Sequence, residues 1–337
     1  MQLIVRLRRA CHYVVMRFPI IALVAASLFL SAGSAVAQIP EQEGSREVTE
    51  LEEVEVTGSP LRQQARTFVA SVTAPVRGRQ PATWRREICV GVAGMRAEPA
   101  QSLADRVSSW GQRVGLQPGL PGCTPNIVVV ATNDGKATAR QLVASRPRQF
   151  NTGSDGTDQG RAALQRFQDS DRLVRWWHVS LPVNASTGAP AVRLPGQPPF
   201  VAPSVIRGPA DVGGYGNSVR PSMIADGTRD DLMQVIIVLE DTALDRASFS
   251  AVSDYVAMVA LAQIDPDASP SSPSILDLFD ETSVRESTLS RWDRAYLSAL
   301  YGYEANGRSR ASTFSSISAG MEIELRGADA LPEERPD

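Results

Sequence analysis

Beyond residue 37 the chain holds one histidine, His178, and two cysteines, Cys89 and Cys123. Zinc is bound mainly by imidazole and thiolate, so a usual zinc site cannot be assembled from this supply, and no metal or cofactor is expected. A Ser-His-Asp site would have to use His178, yet the chain has no G-x-S-x-G elbow. His178 lies in Trp176-Trp177-His178-Val179-Ser180. Strand alternation puts Trp176, His178 and Ser180 on one face and Trp177 and Val179 on the other. A hydrogen-bonded structural histidine beside tryptophans is the favoured reading.

Carboxylates are better supplied. Asn133-Asp134 and Glu240-Asp241 each follow an apolar run. In open α/β sheets ligands bind beyond the carboxyl ends of strands. If those two strands are parallel neighbours, Asp134, Glu240 and Asp241 face one crevice as oxygen donors of the kind that suit calcium or magnesium. The other reading is ordinary solvated turn residues. Asp254 sits in an otherwise apolar stretch and needs a partner if buried, unless its place near a helix start lets the helix dipole favour it. Asp211 to Asn217 is glycine-rich. It neither follows a clear strand nor opens a helix, so it reads as a loop over the sheet.

The compartment bears on the cysteines. Residues 1–18 carry four arginines and no acid, residues 19–30 are almost wholly apolar, and Ala35-Val36-Ala37 closes the run. That order describes a secretory signal peptide cleaved after Ala37. A retained membrane anchor is the competing reading, and no later segment could span a bilayer. The expected location is periplasmic or otherwise exported. Cys11 would leave with the leader. In an oxidising compartment Cys89 and Cys123 are expected to bond, worth roughly 3–4 kcal/mol on the chain-entropy account. Loss of residues 1–37 takes the basic residues from 34 to 30 against 37 acids, a formal charge of −7. That argues against a nucleic-acid binder, which needs clustered positive charge.

Composition divides the rest. Residues 38–83 are polar and lack a sustained apolar period, so they read as a disordered linker. Residues 84–303 form a single globular domain, and residues 304–337 a loose polar tail. Strands are expected at 87–93, 126–132, 174–181 and 234–239, the second buried on both faces because it does not alternate. Hairpins at 191–194 and 201–207 are candidates. A helix opens at Pro99 with Leu103, Val107, Trp110 and Val114 on one face, and Gly115 is placed to end it. Short helices are expected at 138–144 and 160–167, and an apolar, mostly buried helix at 248–264. A short helical turn follows at 274–279, and a last helix at 290–303 opens with a Ser290/Asp293 capping box. Alternating strands and helices predict an α/β (or α+β) layered domain with a mixed sheet.

Two stretches resemble known families. Glu50-Leu51-Glu52-Glu53-Val54-Glu55-Val56-Thr57-Gly58-Ser59 resembles the start of mature TonB-dependent receptors, although nothing after Arg62 continues as a plug or barrel. The resemblance implies a short strand able to pair with a partner's sheet edge; a charged linker is the other reading. Asp230-Asp231-Leu232 through Val235 to Glu240, Asp254 to Gln263, Pro273-Ser274-Ile275-Leu276 and Trp292 to Tyr301 resemble a family of exported proteobacterial proteins of unknown function. More distantly, their order is similar to metzincin-type metallopeptidases: a long helix after an edge strand, a Ser-Ile-Met-like turn, and a final helix ending Leu-Tyr-Gly. Leu276 stands where methionine is expected, and Leu300-Tyr301-Gly302 matches. That family's helix carries H-E-x-x-H, and this helix has no histidine, so no catalytic residue carries over. The expectation is a non-catalytic, peptidase-like envelope protein that binds a protein or peptide. The alternatives are a carboxylate hydrolase, with a bound divalent cation as an option, and a structural domain tethered to a receptor system.

Overall fold

The computed structural model describes residues 60–76, 79–150, 159–185, 187–190, 228–283, 285–302 and 310–330. All belong to the unit spanning residues 56–337. The leader, the receptor-like segment, the two candidate hairpins and the glycine-rich loop lie outside the described residues.

In chain order the elements are α1 (Pro60–Val72), β1 (Val90–Ala93), α2 (Ala97–Arg113), β2 (Ile127–Thr132), α3 (Gly135–Ser145), α4 (Arg161–Asp169), β3 (Val174–Asn184), β4 (Thr228–Glu240), α5 (Ala243–Arg246), α6 (Phe249–Leu261), a 3-10 turn (Ile275–Asp277), α7 (Arg291–Gly302) and α8 (Arg310–Ala330). The four strands form one mixed sheet in the order β1-β2-β4-β3. β1, β2 and β4 run parallel, and β3 closes the edge antiparallel to β4. Among the described residues no helix is long and apolar enough to cross a membrane.

Alternation along the strands sorts two cores. Val235, Ile237 and Leu239 face the larger one, with α1, α2, α6, α7 and α8. Ile236 and Val238 face a smaller one with Ala139 of α3 and Phe167 of α4. β3 obeys the same rule. Trp176 joins the larger core, while Trp177 packs at a tilt against Phe150 and Phe167 on the other face. β2 differs from expectation: Ile127, Val129 and Ala131 are buried and the residues between them only partly so. Its uninterrupted apolar run hides a period of two because valine tolerates a half-covered face. Gly115 ends α2 as its position implies, at φ +86°, a conformation open to glycine at little cost.

Two assignments need correcting. Residues 60–76 and 79–83 are part of the folded body rather than a linker: Phe68, Val69 and Val72 of α1 and Ala82 are buried in the main core. The Thr83 carbonyl accepts from Leu232 N at 2.9 Å, beside β4. Residues 310–330 are not a loose tail. They form α8, whose Ile317, Met321 and Leu325 are buried. Those three recur every four residues, the spacing of one helix face, and the small polar residues between them mask it. α8 lies against both α7 and α1, and Arg62 Nε donates to Glu322 Oε2 at 2.6 Å across the pair.

Cys89 and Cys123 are joined in a disulfide across a sequence separation of 34. It ties the residue before β1 to the loop that enters β2. Cys89→Ala/Cys123→Ala should lower the unfolding free energy by roughly 3 kcal/mol. Urea denaturation of the oxidised wild type against the double variant measures it, and equal midpoints would show that the bond adds no stability.

Candidate functional site

The three carboxylates read from the sequence lie at one end of the sheet, because β2 and β4 are parallel neighbours with Thr132 beside Glu240. Each has a local task. Asp134 caps α3, accepting from Ala137 N at 2.9 Å. Glu240 accepts from Arg175 Nη2 at 2.7 Å. Asp241 is exposed in the turn after β4 and donates its backbone N–H to the Thr132 carbonyl. Arg175 is buried on β3, and burial lowers its pKa against the pull of Glu240 and Asp134. Gly135 lets α3 begin against this pair, since a Cβ there would lie 2.3 Å from Glu240 Oε1. Among the described residues no three His, Cys, Asp or Glu side chains gather as a metal would require.

His178 and Asp254 both serve α6. The helix is buried along its whole length from Ala251 to Leu261, so its last carbonyls cannot reach water and must find donors. His178 Nε2 donates to Val259 O at 2.7 Å, Trp84 Nε1 to Ala260 O at 2.9 Å and Tyr301 Oη to Leu261 O at 2.6 Å. Burial lowers the His178 pKa to about 4, although its bonds to the Val259 and Ala262 carbonyls pull the other way. The imidazole is therefore neutral at pH 7.

Asp254 takes the buried option left open above. It accepts from Arg106 Nε and Nη2 at 2.5 and 2.8 Å, Trp110 Nε1 at 2.6 Å and Thr288 Oγ1 at 2.6 Å. Burial alone would raise this carboxyl, but the bonds from Arg106, Thr288 and Trp110 outweigh it and hold it below the usual carboxylate range.

A third place stands open. A cleft of about 330 Å³ lies where β4 ends and β3 begins. Four stretches wall it: 171–174 leading into β3, Arg246 at the end of α5, Tyr255 of α6, and the stretch 268–280 that includes the 3-10 turn. The turn is held from behind. Buried Asp293 accepts from Ser274 Oγ at 2.6 Å and Ile275 N at 2.8 Å. It completes the capping box of α7 through Ser290 N at 2.8 Å, with Asp293 N donating back to Ser290 Oγ at 3.1 Å. Asp277, in the turn, faces the cleft. Burial raises its pKa to about 6, and repulsion from Asp280 and Asp293 adds to the shift. Tyr255 packs on Phe279 with ring centroids 5.2 Å apart. Burial raises its phenol, with Arg172 lowering and Asp277 raising it further.

The sequence singled out Tyr255 and Leu276, the first as a core residue and the second by resemblance. It gave no sign of Arg172, Arg246, Asp277, Phe279 or Asp280. These come from separate stretches that only the folded chain brings together. The nearest signals were a phenol in an aliphatic helix and an aspartate directly after the Ser-Ile-Leu turn.

Fold and cleft together define a layered α/β protein with a mixed sheet, helices on both faces and a groove at the sheet's carboxyl end. Compared with protein-family models, curated proteins and solved structures, the chain matches none of them.

Two stability tests follow from the buried polar groups. The folded His178 resists a proton that the unfolded imidazole accepts near 6.5. Its stabilising contribution is therefore complete above pH 6.5 and is lost as pH falls toward 4, about 3 kcal/mol in all. In His178→Gln the gap between the pH 7 and pH 4 unfolding free energies should shrink by about that much, and an unchanged gap would refute the assignment. Asp254→Ala leaves a guanidinium, an indole N–H and a hydroxyl without their shared acceptor. It should cost roughly 3 kcal/mol, read from the denaturant midpoint at constant m-value.

Proposed function

We propose that this chain is an exported, non-catalytic, peptidase-like protein of the bacterial envelope, and that the cleft beside α6 binds a peptide segment of a partner protein. One observation carries the reading: Tyr255 from the long apolar helix and Leu276 from the Ser-Ile-Leu turn meet in a single cleft. These are the two elements whose order resembles metzincin-type peptidases, in which the helix holds the metal.

The chemistry of this helix supports binding over cleavage. Its acid, Asp254, is bound on all sides by structural donors. The single histidine beyond the leader serves the helix's own carbonyls. The cleft has the size of a small ligand site. Apolar walls from Leu173, Val174, Leu276 and Phe279 alternate with Arg172, Arg246, Asp277 and Asp280, a mixture suited to peptide side chains. The arginine-led leader supports export. The receptor-like segment before α1 supports a partner in the envelope.

Panning a displayed library of random peptides against residues 38–337 tests this. Ser269→Trp and Ala268→Gln, which crowd the cleft without changing its charge, serve as counter-selection. Enriched peptides should bind wild type with micromolar dissociation constants or better, about −8 kcal/mol, and lose at least tenfold on the rim variants. No enrichment, or equal binding to wild type and both variants, overturns the reading.

A further inference from the structure

We propose that the cleft is a socket for a cationic side chain, a lysine or arginine of the bound peptide, whose head sits between Asp277 and the Tyr255 hydroxyl. This rests on the peptide-binding reading above and names its ligand chemistry.

The first observation is Tyr255. It is only 5 % exposed and lines the cleft. Its hydroxyl has no hydrogen-bond partner among the described residues. It is not among the fully enclosed polar atoms that lack a partner, so it opens on the cleft that the ring lines, where the charges of Arg172 and Asp277 act on it. Tyrosines this deeply buried usually find a hydrogen-bond partner. A ligand N–H donor would supply it.

The second observation is independent. Asp277 is half-buried, yet among the described residues its carboxylate has neither an ion pair nor a hydrogen bond. Two further carboxylates, Asp280 and Asp293, press on it. Both are already bound: Asp280 by Thr282 and Ser283, Asp293 by Ser274, Ile275 and Ser290. The other charges of the cleft are paired as well. Arg172 reaches Asp267 at 2.7 Å, Arg246 reaches Glu281 at 3.6 Å, and Asp171 is held by Lys136. The unspent charge of the cleft is the negative one of Asp277.

Shape selects an organic cation over a metal ion. No three His, Cys, Asp or Glu side chains gather here among the described residues. The walls beside Asp277 are Leu276, Phe279 and the Tyr255 ring. Lysine and arginine lay their methylene stems along such apolar surface while the head seeks charge.

The test uses the peptides enriched by cleft-dependent panning, titrated calorimetrically into residues 38–337. Each should carry a lysine or arginine whose replacement by norleucine weakens binding at least tenfold on wild type and less than twofold on Asp277→Asn. Tyr255→Phe should weaken the basic peptides several-fold and leave the norleucine forms unchanged. Asp277→Asn removes an unpaired charge, so its melting temperature should equal or exceed that of wild type, which separates lost binding from lost folding.

Cleft-dependent peptides without a basic residue, or a norleucine penalty that persists in Asp277→Asn, would overturn this inference and leave peptide binding standing. Absence of any cleft-dependent peptide overturns both. Calcium alone competing at micromolar concentration would replace the side-chain socket by a metal site and equally overturn the inference.

Discussion

A helix buried on every side has a polar end that water cannot reach, and this structure is arranged around that difficulty. The carbonyls of Val259, Ala260 and Leu261 are met by an imidazole from β3, an indole from the segment before β1 and a phenol from α7. Each donor comes from a different layer or a distant stretch of chain, so the end of α6 fixes the sheet, the entry segment and the C-terminal helices relative to one another. An unpaired buried carbonyl would cost roughly 1–3 kcal/mol, comparable to burying a large aliphatic side chain. The three donors thus let α6 keep the apolar contacts that its composition demands.

The same economy governs the acids. Asp254 and Asp293 are both fully buried, and each is surrounded by donors on separate elements. Asp254 joins α6 to α2 and to Thr288. Asp293 joins α7 to the turn at Ser274. In a region otherwise held by non-directional packing these carboxylates set register, since sliding either helix by a turn would strand a charge in the interior. The cleft lies between the two fixed points, where Asp277 alone is left without a donor among the described residues. That contrast, more than the cleft's size, is what the proposed peptide site rests on.

Much of the architecture was legible in the sequence because burial leaves a periodic trace. The pattern Trp176-Trp177-His178 sorted correctly between the two faces of β3. The Ser290/Asp293 box formed as its spacing required, and the cysteines paired. α1 and α8 went unrecognised since each buries only a narrow stripe: Ala65, Phe68, Val69 and Val72 in one, Ile317, Met321 and Leu325 in the other. Small and charged residues between those positions lower the mean hydropathy to that of a linker. The parallel pairing that brings the ends of β2 and β4 together formed as the sequence allowed, whereas nothing local predicts that Arg175 would be buried beneath Glu240. The walls of the cleft lie as much as 109 positions apart, between Asp171 and Asp280, and no short-range pattern links them.

The pairing of α1 with α8 also governs how the molecule can assemble. Two helices near opposite limits of the described chain share a boundary, with Arg62 reaching Glu322 over a sequence separation of 260. A ribosome, or a membrane channel passing the chain amino end first, delivers Phe68 and Val72 long before Met321 and Leu325 exist to shield them. The nascent body therefore stays unsealed until α8 has been made. Until then the inner stripes of both helices lie uncovered, so this boundary is among the last to close.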